Sequence, residues 1–192
     1  MNVIVFLAEG FEEVEALTVV DYLRRVKPIT VDMIAIGDSL LVSGSHHIKV
    51  KADKHIDDLA NLDAYEAVII PGGMPGAAHL RDDQRVIKIV REMNEVGKLV
   101  AAICAGPIVL EKATIIDGKK MTSFPGFEKD FPNSIYLADA VVRDKNIITS
   151  RGPGTAVDFA LEIVTILAGE KEAETLRKNI LYDNKEGNET CT

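Results

Sequence analysis

Cys104, an acidic cluster and two glycine-rich turns are the parts of this chain whose residue types and spacing can do chemistry. Cys104 stands in Lys98-Leu-Val-Ala-Ala-Ile-Cys-Ala-Gly-Pro107. An apolar run leads straight into it, and small residues and a proline follow. Pro107 suits the first turn of a helix, where its missing N–H costs nothing. The segment therefore predicts strand, tight turn and helix, with Cys104 on the turn, as in a nucleophile elbow. Helix-terminal N–H groups and the helix dipole favour a thiolate there. A core cysteine satisfies the same pattern, because free Cys is among the most buried residues. Both readings stand at this point. Cys191 lies in a polar tail and is read as incidental. Two cysteines make no disulfide framework, so the Cys104 thiol is expected reduced.

The acidic cluster is Glu9-Gly-Phe-Glu-Glu-Val-Glu15. Glu12 and Glu13 fall in a first helical turn, where negative charge is stabilised by roughly 0.3–1 kcal/mol each, reason enough for them. Glu15 lies between Val14 and Ala16-Leu17, where a helix would bury side chains. Burial would raise its pKa and keep it protonated, able to donate a hydrogen bond to a thiolate. An exposed Glu on a solvated face fits equally well. Ile69-Ile-Pro-Gly-Gly-Met-Pro-Gly76 offers backbone N–H groups at close range, as an oxyanion hole requires, or is a plain tight turn. It is neither a P-loop nor a GxGxxG fingerprint. Ser150-Arg-Gly-Pro-Gly-Thr155 is a third candidate loop, with Thr155 a plausible N-cap and Arg151 a conceivable anion ligand. His46, His47, His55 and His79 all precede Cys104, which disfavours hydrolases whose base follows the nucleophile. His46-His47 reads as an exposed turn. No zinc spacing occurs, and no metal or cofactor is expected.

Positioning these residues takes alternating strands and helices. Apolar runs at 3–7, 29–36, 67–70, 99–102 and 146–149 predict strands, and 11–26, 85–96, 106–112 and 155–168 predict helices. Residues 40–42 and 48–50 bracket Ser43-Gly-Ser45 and predict a hairpin excursion, an antiparallel addition. Uninterrupted apolar strands between helices imply a mostly parallel sheet covered on both faces, an α/β/α sandwich. In such sheets ligands gather beyond the carboxyl ends of the strands, which selects residues 8–15, 71–76, 104–107 and 150–155.

Composition narrows the rest. The chain has 192 residues, 47% of them apolar, which predicts one domain over 1–183 and a polar tail over 184–192. Its net charge of -8 argues against general nucleic-acid binding, which draws on Lys and Arg. The longest stretch without Asp, Glu, Lys or Arg is 67–80, 14 residues interrupted by Gly and Pro. A spanning helix needs about 20 apolar residues, so no membrane segment is expected. The N-terminus lacks a basic signal-peptide region, so a cytoplasmic location is expected.

The four segments in series closely resemble the ThiJ/PfpI superfamily, most of all its DJ-one/ThiJ branch, from about residue 3 to 168. The resemblance implies a flavodoxin-like α/β sandwich and a homodimer. It implies that Cys104 is a reactive, oxidation-prone nucleophile and Glu15 its protonated partner, with Gly73 and Ala105 as backbone N–H donors. Arg25 matches an arginine that family dimers place near the glutamate helix. Gly72, Phe124 and Pro153 become candidates for the loops around the substrate. Family activities include removal of glyoxal and methylglyoxal adducts, glyoxalase chemistry and redox-dependent chaperone behaviour. The implied substrates are small dicarbonyls or glycated groups, with no cofactor. Two departures matter. Some members carry His where this chain has Phe124, which removes an acid/base group. The peptidase branch places His directly after its cysteine, where this chain has Ala105, so peptidase activity is not expected.

Overall fold

The computed structural model describes residues 1–182. β1 (Asn2–Leu7) leads into α1 (Glu13–Arg24) and β2 (Thr30–Ala35). Three short strands follow, β3 (Leu41–Ser43), β4 (Lys49–Lys51) and β5 (Lys54–His55), then β6 (Tyr65–Ile70). α2 (Gly76–Asp82) and α3 (Gln84–Glu95) precede β7 (Leu99–Ile103) and the short α4 (Pro107–Lys112). β8 (Lys120–Met121), β9 (Ile135–Tyr136), β10 (Val141–Asp144) and β11 (Ile147–Ser150) lead to α5 (Ala156–Ala168) and α6 (Glu170–Asn179).

The apolar runs become the middle of a seven-stranded sheet ordered β10-β11-β7-β6-β1-β2-β5. Every pairing is parallel except β10 with β11. Alternate residues of each strand face opposite layers. Val3, Val5 and Leu7 of β1 join a core with Val19 and Leu23 of α1, Phe159 of α5 and Leu176 of α6. Ile4 and Phe6 join the opposite core, with Leu80 of α2, Met93 of α3 and Leu110 of α4. This is the flavodoxin-like α/β/α sandwich the sequence implies.

Several details differ from the sequence reading. The hairpin β3–β4 is antiparallel but forms its own two-stranded sheet, and the antiparallel member of the main sheet is β10. Instead of extending the main sheet, the hairpin lies on the loop between β1 and α1: Gly10 N–H donates to Ser43 O and Ser45 N–H to Phe11 O, each at 2.8 Å. Thr155 precedes α5, but its side chain does not cap the helix; its Oγ1 accepts from Gly152 N–H and meets Ser150 Oγ, closing the preceding loop. α6 lacked an apolar period because it buries only Ala173 and Leu176. Among the described residues, no helix is long and apolar enough to cross a membrane. Cys191 and the expected tail at 184–192 lie outside the described residues.

Candidate active site

β1 and β6 are adjacent in space, yet the chain leaves them toward opposite layers, which opens a crevice at their carboxyl ends. Cys104 sits there directly after β7, with φ +63°. That left-handed conformation costs a non-glycine residue of order 1–3 kcal/mol and persists only where neighbours enforce it. They do so from both sides. Cys104 N–H donates to Ser150 O, and Phe124 N–H donates to Cys104 O, both at 2.9 Å. Gly106 N–H returns to Ile103 O at 2.8 Å, and Pro107 opens α4. The side chain is half-buried.

Glu15 reaches the same spot from the first turn of α1 and is fully buried. Its Oε2 accepts a 2.8 Å hydrogen bond from Gly72 N–H. Its Oε1 is buried and finds no hydrogen-bond partner among the described residues, while Oε2 and the Cys104 Cβ flank Gly72 on the same side, which sets the carboxyl beside the thiol. Only glycine fits at position 72, because an added Cβ would stand 2.6 Å from Cys104 Cβ and 2.7 Å from Glu15 Oε2. Gly73, at φ +85°, turns its N–H toward the sulfur, and Ala105 N–H approaches it too.

The two acids titrate as a pair. Burial raises Glu15 to about 7, with the negative charge of Glu12 adding to the effect; the adjacent Cys104 thiol and the hydrogen bond from Gly72 oppose it. Burial, and then the Glu15 charge, push the Cys104 thiol up to about 12, against the pull of the Ala105 and Gly73 N–H groups. Burial and the Glu15 charge thus oppose the thiolate that the turn and the two N–H groups favour. α4 has only six residues, and its dipole does not outweigh a buried neighbouring carboxylate. Between these two values the pair holds one proton and one negative charge. The two groups cannot both be ionised near neutral pH, because each disfavours the other's charge in a site shielded from water. The arrangement suits a thiol that attacks as the carboxylate takes its proton.

A family model described as DJ-1/PfpI family matches residues 1–166. The chain belongs to the DJ-1/PfpI family. It is 36% identical over 181 residues to protein DJ-1 homolog B of Arabidopsis thaliana, covering 94% of this chain but 41% of that longer protein. It is 31% identical over 169 residues to a protein of Pyrococcus abyssi named a deglycase, covering 87% of this chain and 99% of the relative. Its fold superposes on oxidized Toxoplasma gondii DJ-1 with a TM-score of 0.90 at 34% identity, over 95% of this chain and 98% of the other.

Within this DJ-1/PfpI chain the sequence-predicted residues do not all meet. Cys104, Glu15, Gly72, Gly73 and Ala105 converge. Phe124 is half-exposed on the loop tied to Cys104 O, beside Gly152. Pro153 opens the single 3-10 turn ahead of α5 and is exposed. Arg25 is not brought to the cysteine by its own chain. It ends α1, ten residues and roughly 15 Å from Glu15, where it pairs with Asp21 at 2.9 Å and lies over the Tyr22 ring. Arg151 donates to Ala138 O at 2.7 Å and serves the loop.

Sequence reasoning missed how Glu13 is used. Its side chain is buried and accepts hydrogen bonds from His46 N–H at 2.8 Å, Ile48 N–H at 3.2 Å and Ser45 Oγ at 3.2 Å. Burial alone would raise Glu13; its hydrogen bonds outweigh that and lower it to about 2. The hairpin is thereby strapped to the turn that carries Glu15. Ser45 and His46 lie more than 30 positions from Glu13, and no local pattern in the sequence marks that contact.

Proposed function

We propose that this chain is a cysteine-dependent hydrolase of the deglycase or glyoxalase type, acting on dicarbonyl compounds or their adducts. One observation carries the reading: a half-buried thiol faces a buried carboxyl that titrates near neutrality, with two N–H groups aimed at the sulfur. Glu15 is the base. It accepts the thiol proton as the Cys104 sulfur bonds to the carbonyl carbon, and the C=O electron pair moves onto oxygen. The Gly73 and Ala105 N–H groups then face the developing oxyanion. Transfer of the aldehydic hydrogen of such a hemithioacetal to the adjacent carbonyl carbon gives a thioester, which water cleaves to a 2-hydroxy acid. The deglycase name of the Pyrococcus relative supports this class. Met74, next to Gly73, Ile108, four residues past Cys104, and Phe127 line a groove of about 260 Å³ whose remaining walls are the charged Arg81, Glu111, Lys112 and Asp130, offering a larger adduct both apolar and polar contacts. The test is lactate release from methylglyoxal by the purified protein beside Cys104→Ala; equal rates remove the cysteine from the reaction.

A second reading is a redox sensor or chaperone, favoured by Phe124 standing where an acid/base group would assist turnover. Peroxide would convert Cys104 to sulfinic acid, with Glu15 hydrogen-bonded to the oxidised sulfur. Mass spectrometry after mild peroxide supports this reading if two oxygens appear selectively at Cys104. Equal modification of Cys191 opposes it. Ala105 next to the nucleophile speaks against a peptidase. A cytoplasmic homodimer that brings Arg25 of one copy toward the other's α1 completes the proposal, with sedimentation as its check.

A further inference from the structure

We propose that His46 is a positioning residue for the cysteine site: its imidazolium holds Glu12 and Glu13 on the first turn of α1 and offsets their charge beside Glu15. The inference rests on Glu15 being the site's proton acceptor, and adds a residue from a different element that controls it.

The geometry is specific. His46 Nδ1 lies 3.0 Å from Glu13 Oε2 and 3.4 Å from Glu12 Oε2. Ser45 Oγ reaches the same two carboxylates, 2.9 Å from Glu12 Oε2 and 3.2 Å from Glu13 Oε2. Glu12 precedes Glu15 by three residues, a spacing that makes side chains neighbours on a helical turn. Three carboxyl groups thus crowd one turn, and the innermost is the one that must exchange a proton with Cys104. Among the described residues, the charged groups in contact with His46 are Glu12, at the N-cap of α1, and Glu13, its first residue. Glu9, on the loop beneath the hairpin, is engaged by Ser43 N–H instead.

The sign follows from electrostatics. Glu13 stays ionised throughout the neutral range, and the Glu12 charge opposes ionisation of Glu15. The hydrogen bond to Glu13, then the charges of Glu12 and Glu13, raise the His46 pKa, so the ring holds its proton further into the neutral range than a free histidine. While charged, it counters Glu12 and eases proton loss from Glu15. As pH rises and the ring becomes neutral, Glu12 acts on Glu15 unopposed. His46 is exposed, so this influence crosses solvent and is screened by salt.

The experiment follows Glu15 directly. Protein labelled with ¹³C at the glutamate carboxyls is titrated by NMR from pH 5 to 9 at low salt, with the Glu15 resonance assigned by its loss in Glu15→Gln. In His46→Gln the Glu15 midpoint rises by about half a pH unit. In His46→Arg, which keeps a cation, it stays at or below the wild-type value, and in 1 M salt the Gln and wild-type midpoints converge. Equal midpoints in all three proteins at low salt overturn the inference. A midpoint that rises as much in Arg as in Gln also overturns it, because a packing role would then account for both. Alkylation of Cys104 is measured in parallel. An inert Cys104 together with a His46-dependent Glu15 midpoint defeats the proposed chemistry and leaves this inference standing.

Discussion

Replacing Glu15 with Gln should make the protein more stable and less reactive at the same pH. The amide keeps an oxygen to accept from Gly72 N–H, so the fold around it is retained. Glu15 titrates at about 7 in the folded chain against 4.5 for an ordinary glutamate. Each pKa unit corresponds to 1.36 kcal/mol, so ionising this buried carboxyl costs the native state about 3 kcal/mol. A carboxyl whose folded pKa is raised binds more protons folded than unfolded. Stability therefore falls as pH rises from about 4.5 to 7 and is flat beyond, as far as this group is concerned. Urea denaturation of the wild type and Glu15→Gln at pH 4 and pH 8 isolates the effect: the variant gains up to about 3 kcal/mol relative to the wild type between those points. Reactivity moves the other way. Wild-type Cys104 should react with iodoacetamide along a pH curve centred near 7, the ionisation of its base. The variant has no base, and its buried thiol must ionise unaided, so lactate formation drops by about 10²–10⁴-fold. Its thiol, freed of a neighbouring charge, should titrate below the wild-type value of about 12. A variant with an unchanged difference between pH 4 and pH 8, or one that turns over at the wild-type rate, refutes the assignment.

Gly72→Ala should damage the same pair by contact, since its Cβ would fall 2.6 Å from Cys104 Cβ and 2.9 Å from Ala105 N; denaturation should show a loss of about 1–3 kcal/mol and the lactate assay little activity. Glu13→Ala strips the acceptor from the His46 and Ile48 N–H groups, and should cost about 1–3 kcal/mol at pH 7 by urea denaturation. Because the folded pKa of Glu13 is lowered to about 2, that contribution is present above pH 4.5 and fades as pH falls toward 2, where the variant and wild type should converge. Phe124→His restores an acid/base group on the loop bonded to Cys104 O and should raise kcat for methylglyoxal by about tenfold at pH 7; an unchanged kcat would place residue 124 outside the reaction.

The sheet was legible because burial on both faces writes itself into the chain as unbroken runs such as Val3–Leu7 and Leu99–Ile103. The turn at Cys104 was legible because Ala, Gly and Pro after a strand leave few other ways to proceed. What the sequence withheld depends on distant partners. β8 is two residues long and pairs with β9 from beyond a long loop, so it carries no period of its own, whereas β10 pairs with the adjacent β11 and escapes notice because Val141-Val-Arg-Asp144 is only half apolar. The seat of Glu13 is made by three donors more than 30 residues away. Thr155 has the side chain of an N-cap, yet Gly152 and Ser150 compete successfully for its hydroxyl.

The state of Cys104 shows most clearly why local pattern and chemistry part company. A strand–turn–helix junction raises the expectation of a thiolate, and the two N–H groups of Gly73 and Ala105 do pull that way. Those are short-range, neutral dipoles. Against them stand burial of the sulfur and a whole negative charge on Glu15, which α1 delivers from 89 positions earlier in the chain. Charge–charge repulsion in a site shielded from water outweighs dipoles of that size, so the second ionisation of the pair is driven out of the neutral range. The same burial that disfavours two charges makes one charge easy to move: the proton need only pass between adjacent sulfur and oxygen when the carbonyl carbon arrives. A thiol set beside such a base gains nucleophilicity as Glu15 ionises, and a substrate whose oxygen can meet the Gly73 and Ala105 N–H groups gains most from it.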